Sequence, residues 1–418
     1  MKLALSLGAL SGANILLATL TQWYIVVTIG PGSNTDAYFA SLVIPQLLLG
    51  IIAGSLGQVI VPLLAGERDD HILIKGWQLA ILFSALFAAI ALATSVSSRF
   101  WVPLLFHGFS EAGKALTIGL TGIQMLTMVL AALSSVLTAV HQAKQKFVCA
   151  ASPSVLGDLV GLGALLLTLR RYGIVAAAWT LVLAAGLQTL LLLPGLGIAR
   201  LRPLSRSLLK ETWHRMKPML FGSAYYKSDF LVDRFLSSMV PAGGFSLFYL
   251  GQQMYAAANQ MIHRALVVPI IPTWAGMAKI NDRESFARLY RKRLAQVAIL
   301  TCCGYLLFLA IGKQALQVLI GHGAVTEENV VLLWQIMVAL VGVFVGGGLS
   351  IITTSAFYAR GDTRTPTKIG VWSFTVYAPL KVFAFVKFGL LGLAIATSAF
   401  FVVNLMMQLR VLRRVILQ

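Results

Sequence analysis

Charged side chains within long apolar runs are the residues of this sequence most able to do chemistry. A charge in hydrocarbon costs at least a few kcal/mol, so such groups face a polar cavity or pair with one another. Ligand and ion binding are therefore the chemistry that they predict, and the alternative is that they only hold helices together. The cations are Lys227, Arg234, Arg264 and Lys381, and the acids are Asp36, Asp158, Asp229 and Asp233.

Four of these charges lie in one short segment, YYKSDFLVDRF, residues 225–235. In a continuous helix Asp229 and Asp233 share one face, and Lys227 and Arg234, seven residues apart, share another. We expect one face to be paired internally and the other to line a polar cavity. Arg264 has a second interpretation, because it lies near the end of a long run and its side chain could snorkel out of the membrane.

Motifs for catalysis are scarce in this sequence. It has no Walker loop, so ATP is not predicted to be the direct energy source. The three cysteines lack metal-binding spacing, and no two of the six histidines are four residues apart. The segments expected outside the membrane, near 98–114 and 313–329, contain few acids for a membrane glycosyltransferase or ligase. We therefore predict no enzyme activity, no metal and no cofactor.

The elements that position these charges follow from the composition. Apolar residues make up 58% of the chain, charged residues 11%, and the mean hydropathy is +0.84. About 20 apolar residues span a bilayer, and the second and eighth apolar runs are long enough to require tilt or a break. The sequence thus predicts an all-α integral membrane protein with about twelve transmembrane helices. The runs are 3–29, 35–65, 74–97, 115–140, 148–169, 173–197, 217–240, 243–276, 294–312, 329–358, 366–386 and 389–409.

The net charge of +19 could suggest nucleic-acid binding, but the positions of the basic residues indicate a membrane protein. If the N-terminus is cytoplasmic, 23 of the 33 Lys and Arg fall on cytoplasmic segments, six fall outside and four fall within spans. This asymmetry is the positive-inside rule, and it predicts that both termini are cytoplasmic. The most basic loops, 200–217 and 279–293, are expected to lie against anionic headgroups. We predict no nucleic-acid partner.

An internal repeat indicates two related halves. Residues 30–66 return in degraded form at 240–276, where Pro241 matches Pro31 and Pro272 matches Pro62, and residues 133–144 match 349–360 at an offset of 216. Chance similarity among Leu/Ala/Val-rich helices is the alternative. Repeated halves are typical of transporters with a substrate site near the membrane midplane. We predict an N-terminal six-helix lobe at 1–200, a basic cytoplasmic linker at 201–217 and a C-terminal six-helix lobe at 218–418.

Short motifs along nearly the whole chain resemble the MurJ/MviN family of the multidrug/oligosaccharidyl-lipid/polysaccharide exporter superfamily. The resemblance implies two pseudo-symmetric six-helix lobes around a central cavity. Members of the family flip undecaprenyl-diphosphate-linked sugars, most famously lipid II, from the cytoplasmic to the outer leaflet. The matching motifs are NTDAYF at 34–39, IPQLL at 44–48, VPLL at 61–64, HGF at 107–109, MKP at 216–218, VDRFL at 232–236, FYAR at 357–360, TPTK at 365–368 and GLAIATS at 392–398.

The sequence departs from the family at the arginines that are thought to grip the diphosphate. The first helix has no arginine, the pair on the second is replaced by Leu49 and Gly50, and the eighth-helix position falls near Gln252 and Gln253. Guanidinium is the natural bidentate partner of phosphate, so these changes are not conservative. Family members usually add two C-terminal helices that are not found here. Both departures favour a related undecaprenyl-linked glycan, as in exopolysaccharide or O-antigen export, over lipid II itself.

The coupling residues implied by the resemblance are also altered. Some relatives bind sodium with an acid that matches Asp233 and with two eleventh-helix residues that match Tyr377 and Lys381, while Thr397 keeps a hydroxyl on the twelfth helix. A lysine at such a position would repel sodium. We predict that Lys381 replaces the ion and pairs with Asp233. The alternative is that Lys381 snorkels to the outer interface.

We therefore predict an inner-membrane flippase that moves an undecaprenyl-diphosphate-linked glycan by alternating access. An ion-coupled multidrug exporter is the alternative, and a nontransporting scaffold of a glycan-synthesis complex is a third hypothesis. The expected partners are the glycan lipid, the bacterial inner membrane and glycan-synthesis enzymes of the cell envelope, and the chain is expected to be a monomer. The predicted substrate-binding residues are Lys227, Arg234, Arg264, Asp36, Tyr225, Tyr226, Gln252, Gln253 and Asn259, and the predicted coupling residues are Asp233, Asp229, Lys381 and Thr397.

Overall fold

Helices make up all the regular secondary structure of the described residues, as the apolar runs predicted. The computed structural model describes residues 2–194 and 205–417, without the side chains at 2–5, 54, 55, 58, 218, 219, 221–223, 226 and 415–417. Contacts divide the chain into two compact units, Met1–Arg234 and Phe235–Gln418. Residues 206–217 of the predicted linker are helical, and the predicted division at 200 and 217 stays a prediction.

The first unit is built from long helices and one interrupted segment. That segment begins as α2, turns at Leu42, passes through a π-helix at Leu49–Ala53 and ends as α4, so the second apolar run, for which tilt or a break was expected, contains a break. The helices are α1 (Lys2–Ile29), α2 (Ser33–Ser41), α3 (Val43–Leu48), α4 (Gly54–Leu64), α5 (Asp69–Leu105), α6 (Glu111–Ala143), α7 (Phe147–Tyr172), α8 (Ile174–Leu192), α9 (Arg206–Lys227) and α10 (Asp229–Ser237), the last of which crosses the boundary between the units.

The second unit repeats this pattern. Its eighth apolar run is also interrupted, by a π-helix at His263–Val267 and a short 3₁₀ turn, and a further π-helix at Gly342–Gly346 divides the tenth. The helices are α11 (Gly244–Ile262), α12 (Ile271–Lys279), α13 (Arg283–Ile320), α14 (Glu327–Ala339), α15 (Gly347–Ala359) and α16 (Arg364–Leu417).

Ten segments within the described residues are long and apolar enough to cross a membrane, against the twelve expected. The difference has two causes. The segment α9–α10 is not among the ten, and α16 contains both of the last two apolar runs. The helix of α16 is interrupted at Gly389, which has φ +59° and so a conformation that favours glycine. The structure is compatible with twelve crossings but does not confirm that number.

Backbone conformations support the internal repeat. Gly173, between α7 and α8, has φ +63°, and Gly389 lies 216 residues later with φ +59°. Gln145 and Gly361, also 216 residues apart, both have positive φ and follow the ends of α6 and α15. The same offset was found in the sequence at 133–144 and 349–360. The two halves therefore share turn geometry as well as residues.

Small residues bring α7 and α8 of the first unit into close contact. Gly157 and Gly161 are four apart on α7, and a Cβ added at Gly157 would lie 2.6 Å from the carbonyl oxygen of Ala184 on α8. Paired small residues let membrane helices approach closely, because lipid tails leave packing as a main driving force for association. This contact fixes the part of α7 that carries Asp158.

Candidate functional site

Lys227, one of the predicted substrate-binding cations, lies against the second apolar segment. It is the last residue of α9, and its Nζ donates a hydrogen bond of 2.6 Å to the carbonyl oxygen of Gly50. Gly50 belongs to the π-helix Leu49–Ala53, and π-helical turns alter the regular backbone ladder and occur frequently at functional sites. An ammonium has three donors, and Gly50 is the only hydrogen-bond partner of Lys227 among the described side chains and backbone groups. The remaining donors can serve an anionic ligand.

The charges after Lys227 are not arranged as a single helix would place them. Ser228 is a turn residue between α9 and α10, and its hydroxyl donates to the Ala224 carbonyl at 2.8 Å. Such back-bonding bends helices. The expectation that Lys227 and Arg234 share a face of one continuous helix is therefore wrong. Asp229 and Asp233 both lie within α10, so their common face is retained.

The burial of the predicted residues in the first unit differs widely. Asp233 and Arg234 are 2% and 5% exposed, and Asp36 is buried in the first turn of α2, where the helix dipole favours a negative charge. Tyr225 is 46% exposed. The side chain of Tyr226 lies outside the described residues. The roles of these five residues stay predictions.

In the second unit, the predicted polar contacts on α11 have partners of their own. The Gln253 amide donates to the Tyr249 hydroxyl at 2.8 Å, and Asn259 donates to the carbonyl of Val343, in the π-helix Gly342–Gly346, at 2.9 Å. Gln252 is half-buried on the same helix, and Arg264 is exposed in the π-helix His263–Val267. Asn259 thus packs α11 against the π-helix. Whether any of the four contacts a substrate stays a prediction.

Lys381 and Thr397, two of the predicted coupling residues, are inside the second unit. Lys381 is completely buried, and its Nζ lies 5.4 Å from the centre of the Phe400 ring, within range of a cation–π interaction. Thr397 is also buried. A buried ammonium does not snorkel, so the alternative that Lys381 reaches the outer interface is wrong. Its predicted pairing with Asp233 stays a prediction.

A polar cavity in the first unit was missed by the sequence analysis. It has a volume of about 140 Å³ and lies among α1, α2, α3, α7 and α8. Asn14 of α1 donates to Asp158 of α7 at 2.6 Å, and Asp158 lines the cavity. The available signal for this site was Asp158 itself, which the sequence places within an apolar run. The other polar lining residues are Thr21, Gln22, Tyr38, Gln46 and Thr180.

Several ionisable groups outside the apolar segments have shifted pKa values, and two of them illustrate opposite causes. Burial lowers the pKa of the Lys144 ammonium, which follows α6. The backbone N–H and hydroxyl of Ser285 hold the pKa of Asp282 below its usual value, and the N–H donates to the Asp282 carboxylate at 3.0 Å. Asp282 is thereby the N-cap of α13. Among the described residues, no group of three or more His, Cys, Asp or Glu could hold a metal ion.

The fold is that of known transporters. The structure of the lipid II flippase MurJ in an inward closed conformation superposes with a TM-score of 0.84 and 17% identity, covering 97% of this chain and 87% of that one. An inward-facing multidrug resistance MATE family transporter of the MOP superfamily superposes with a TM-score of 0.83 and 13% identity, covering 97% and 94%. At these identities the likeness concerns the fold alone. It defines a multi-pass, all-helical fold of the kind that these transporters have.

Sequence comparison identifies the family. The profile described as lipid II flippase MurJ matches residues 25–417. The lipid II flippase MurJ of Burkholderia cenocepacia is 22% identical over an alignment of 373 residues that covers 82% of this chain and 70% of the relative. The probable lipid II flippase MurJ of Thermotoga maritima is 24% identical over an alignment of 386 residues that covers 90% of this chain and 77% of the relative. The chain belongs to the MurJ family of lipid II flippases.

Proposed function

We propose that this protein flips a polyprenyl-diphosphate-linked glycan across the membrane. The observation that carries the proposal is the hydrogen bond from Lys227 to Gly50. It keeps a cation with free donors against a membrane-spanning segment, Ser33–Ala53, where an isolated charge is expensive. A lipid diphosphate supplies the compensating negative charge and several acceptor oxygens. The names of the relatives support lipid II as the first substrate to test.

The position of Lys227 also bears on the missing family arginines. The family resemblance places an arginine pair at Leu49 and Gly50, and here a lysine from a different helix donates to the Gly50 carbonyl. An ammonium is a compact point charge and lacks the bidentate geometry of guanidinium. We infer that the diphosphate is still bound near the π-helix, but with less geometric selectivity. A related exopolysaccharide or O-antigen precursor is therefore the second substrate to test.

The multidrug exporter is the competing function, and the MATE structure shares the fold. Lys227 is half-buried, and Arg234, seven residues later, is buried. A cationic drug would be repelled by Lys227 and would gain nothing from Arg234. An anionic lipid would be attracted by both. Charge therefore favours the flippase over an exporter of cationic compounds.

The binding experiment compares Lys227→Ala with wild type in detergent, using lipid II and a second undecaprenyl-diphosphate glycan as probes. Loss of one hydrogen bond to a charged group costs about 1.5–3 kcal/mol, so the dissociation constant should rise about 10- to 150-fold. Lys227→Arg should retain most of the affinity, because it keeps the charge. Lys75→Ala is the matched control, since Lys75 pairs with Glu67 at 2.7 Å and should leave binding unchanged. Equal affinity of wild type and Lys227→Ala for both lipids would show that Lys227 does not bind the diphosphate.

Orientation and assembly complete the proposal. The basic asymmetry of the sequence supports cytoplasmic N- and C-termini in the bacterial inner membrane. A membrane-impermeant thiol reagent should label a cysteine at Ser33 or Gly243 in intact cells, in a background without the native cysteines, and should spare one at Arg206. Labelling of the cysteine at position 206 would contradict this orientation. We further propose a monomer that works beside glycan-synthesis enzymes, which cross-linking in native membranes tests.

A further inference from the structure

The cavity of the first unit holds an acid near the middle of a membrane span. Asp158 is 11 residues from the start of α7 and 14 from its end, which places it about 16 Å and 21 Å from the two ends. Its partner Asn14 is at a similar depth in α1. The cavity of about 140 Å³ has room for a few water molecules. An ionised acid at this depth is costly unless its charge is solvated, paired with a cation or neutralised by a proton.

Within the part of the chain that the structure describes, Asp158 has no cationic partner. The described residues give it one polar partner, the neutral amide of Asn14, and no ion pair. The packed helix α8 has no ionisable side chain, and α1 has only Lys2 at its start and Tyr24, ten residues from Asn14. Tyr38 lines the same cavity and Asp36 precedes it on α2.

The other ionisable groups of the packed helices are remote or already paired. On α6, Glu111 pairs with Lys114 near one end, and the other end has His141, which bonds to the Leu192 carbonyl. On α7, Arg170 and Arg171 are at least 12 residues beyond Asp158, or about 18 Å. The phenol of Tyr38 in the cavity lining and the carboxyl of Asp36 on the same helix α2 supply no positive charge.

A carboxyl group in such a place has two states of different cost. The ionised form must be solvated by the cavity and one amide, whereas the neutral acid avoids the cost of a charge in a medium of low dielectric constant. The amide of Asn14 suits both states, because it donates to a carboxylate and its oxygen accepts from a carboxylic acid. The hydrogen bond between α1 and α7 can thus survive protonation with its direction reversed.

We propose that Asp158 is a proton-binding site and that its protonation is coupled to the transport cycle. One proton adds to the carboxylate from water on one side of the membrane in one state of the cycle, and the same proton leaves to water on the other side in another state. No other bond is broken, and no metal ion or redox partner takes part. Because Asp158 and Asn14 join α1 to the α7–α8 pair, the protonation state sets the strength of that contact. Proton binding does not depend on which lipid the protein carries.

The test begins with infrared difference spectroscopy of the purified wild-type protein, without lipid substrate, between acidic and neutral pH. Every carboxyl group that is protonated on acidification contributes to the carbonyl stretching band, so the expected result is one component of that band that is present in wild type and missing in Asp158→Asn. The Asn variant keeps the shape and the interhelical hydrogen bond, so it should fold. Asp158→Glu should restore a band at a shifted frequency. Glu111→Gln is the control, because Glu111 is exposed and its loss should leave that component unchanged.

Transport in proteoliposomes then tests coupling. An imposed pH gradient should change the initial rate in wild type, and Asp158→Asn should lose that response. The same band in Asp158→Asn as in wild type, or no pH-dependent band in wild type, would overturn the proton site whatever the substrate is. Displacement of the band by sodium at constant pH would overturn it in favour of a metal cation. A normal band with transport of the glycan lipid that ignores the gradient would overturn the coupling alone.

Discussion

The close approach of α7 and α8 allows a stability prediction with an internal standard. An alanine Cβ at position 157 would lie 2.6 Å from the Ala184 carbonyl oxygen, whereas ordinary contacts begin at 3.4 Å. The helices would have to separate locally by up to about 0.8 Å, and overpacking of this kind costs about 1–3 kcal/mol. Gly157→Ala should therefore weaken the first unit at the place that positions Asp158.

Gly163→Ala is the matched control for this substitution. Gly163 is on the same helix, and an added Cβ there would meet nothing within 4 Å. Both substitutions gain about the same helix propensity, roughly 0.5–1 kcal/mol, so the difference between them isolates the packing cost. We expect Gly157→Ala to be less stable than Gly163→Ala by about 1–3 kcal/mol, measured as apparent Tm in detergent and as the monodisperse fraction after heating.

A second substitution on α8 separates the two glycine contacts. A Cβ added at Gly161 would meet the Ala184 side chain at 2.9 Å, whereas one at Gly157 would meet the Ala184 backbone. Ala184→Gly should therefore rescue much of the loss in Gly161→Ala and none of the loss in Gly157→Ala. Equal melting of the Gly157 and Gly163 variants, or equal rescue at 157 and 161, would refute the packing described for α7 and α8.

Two further predictions concern charged groups. The pKa of Asp282 is lowered by the Ser285 N–H and hydroxyl. Its capping contribution to stability is therefore present above the unfolded pKa of about 3.9 and is lost as the pH falls through the lower folded value. Asp282→Asn should make the free energy of unfolding less dependent on pH below about pH 4, and an unchanged pH dependence would contradict this cap. If Asp233 and Lys381 pair, each single alanine variant should lose stability or transport, and the double variant should recover part of that loss because neither charge is then left unpaired. Additive losses in the double-mutant cycle would contradict the pairing.

Local features of this structure follow from the sequence more directly than contacts between distant helices do. The apolar runs predicted where the helices lie, and the lengths of the second and eighth runs predicted either tilt or a break, of which the structure shows the break. The turn at Ser228 was missed, because a single serine within an apolar run gives no sign that its hydroxyl will bond to Ala224. The π-helices were missed for a similar reason, since apolar sequence is compatible with both helical forms.

The candidate site depends on pairings that no local pattern contains. Lys227 and Gly50 are 177 residues apart, and Asn14 and Asp158 are 144 apart. The sequence indicated that Lys227 and Asp158 are charges in hydrocarbon and so need partners. It could not name those partners, because they depend on how α1, α7, α9 and the interrupted second segment pack. The roles of Lys227 and Asp158 therefore rest on the structure and await mutation.

Transport by the purified chain in proteoliposomes tests the central proposal most directly. Lipid II, and separately a second undecaprenyl-diphosphate glycan, would be placed in one leaflet and its arrival in the other measured with an impermeant labelling enzyme. We predict that wild type moves at least one of these lipids, that Lys227→Ala moves it more slowly at subsaturating lipid, and that a lipophilic cation is not exported. Export of the cation without movement of either glycan lipid would contradict the proposed function.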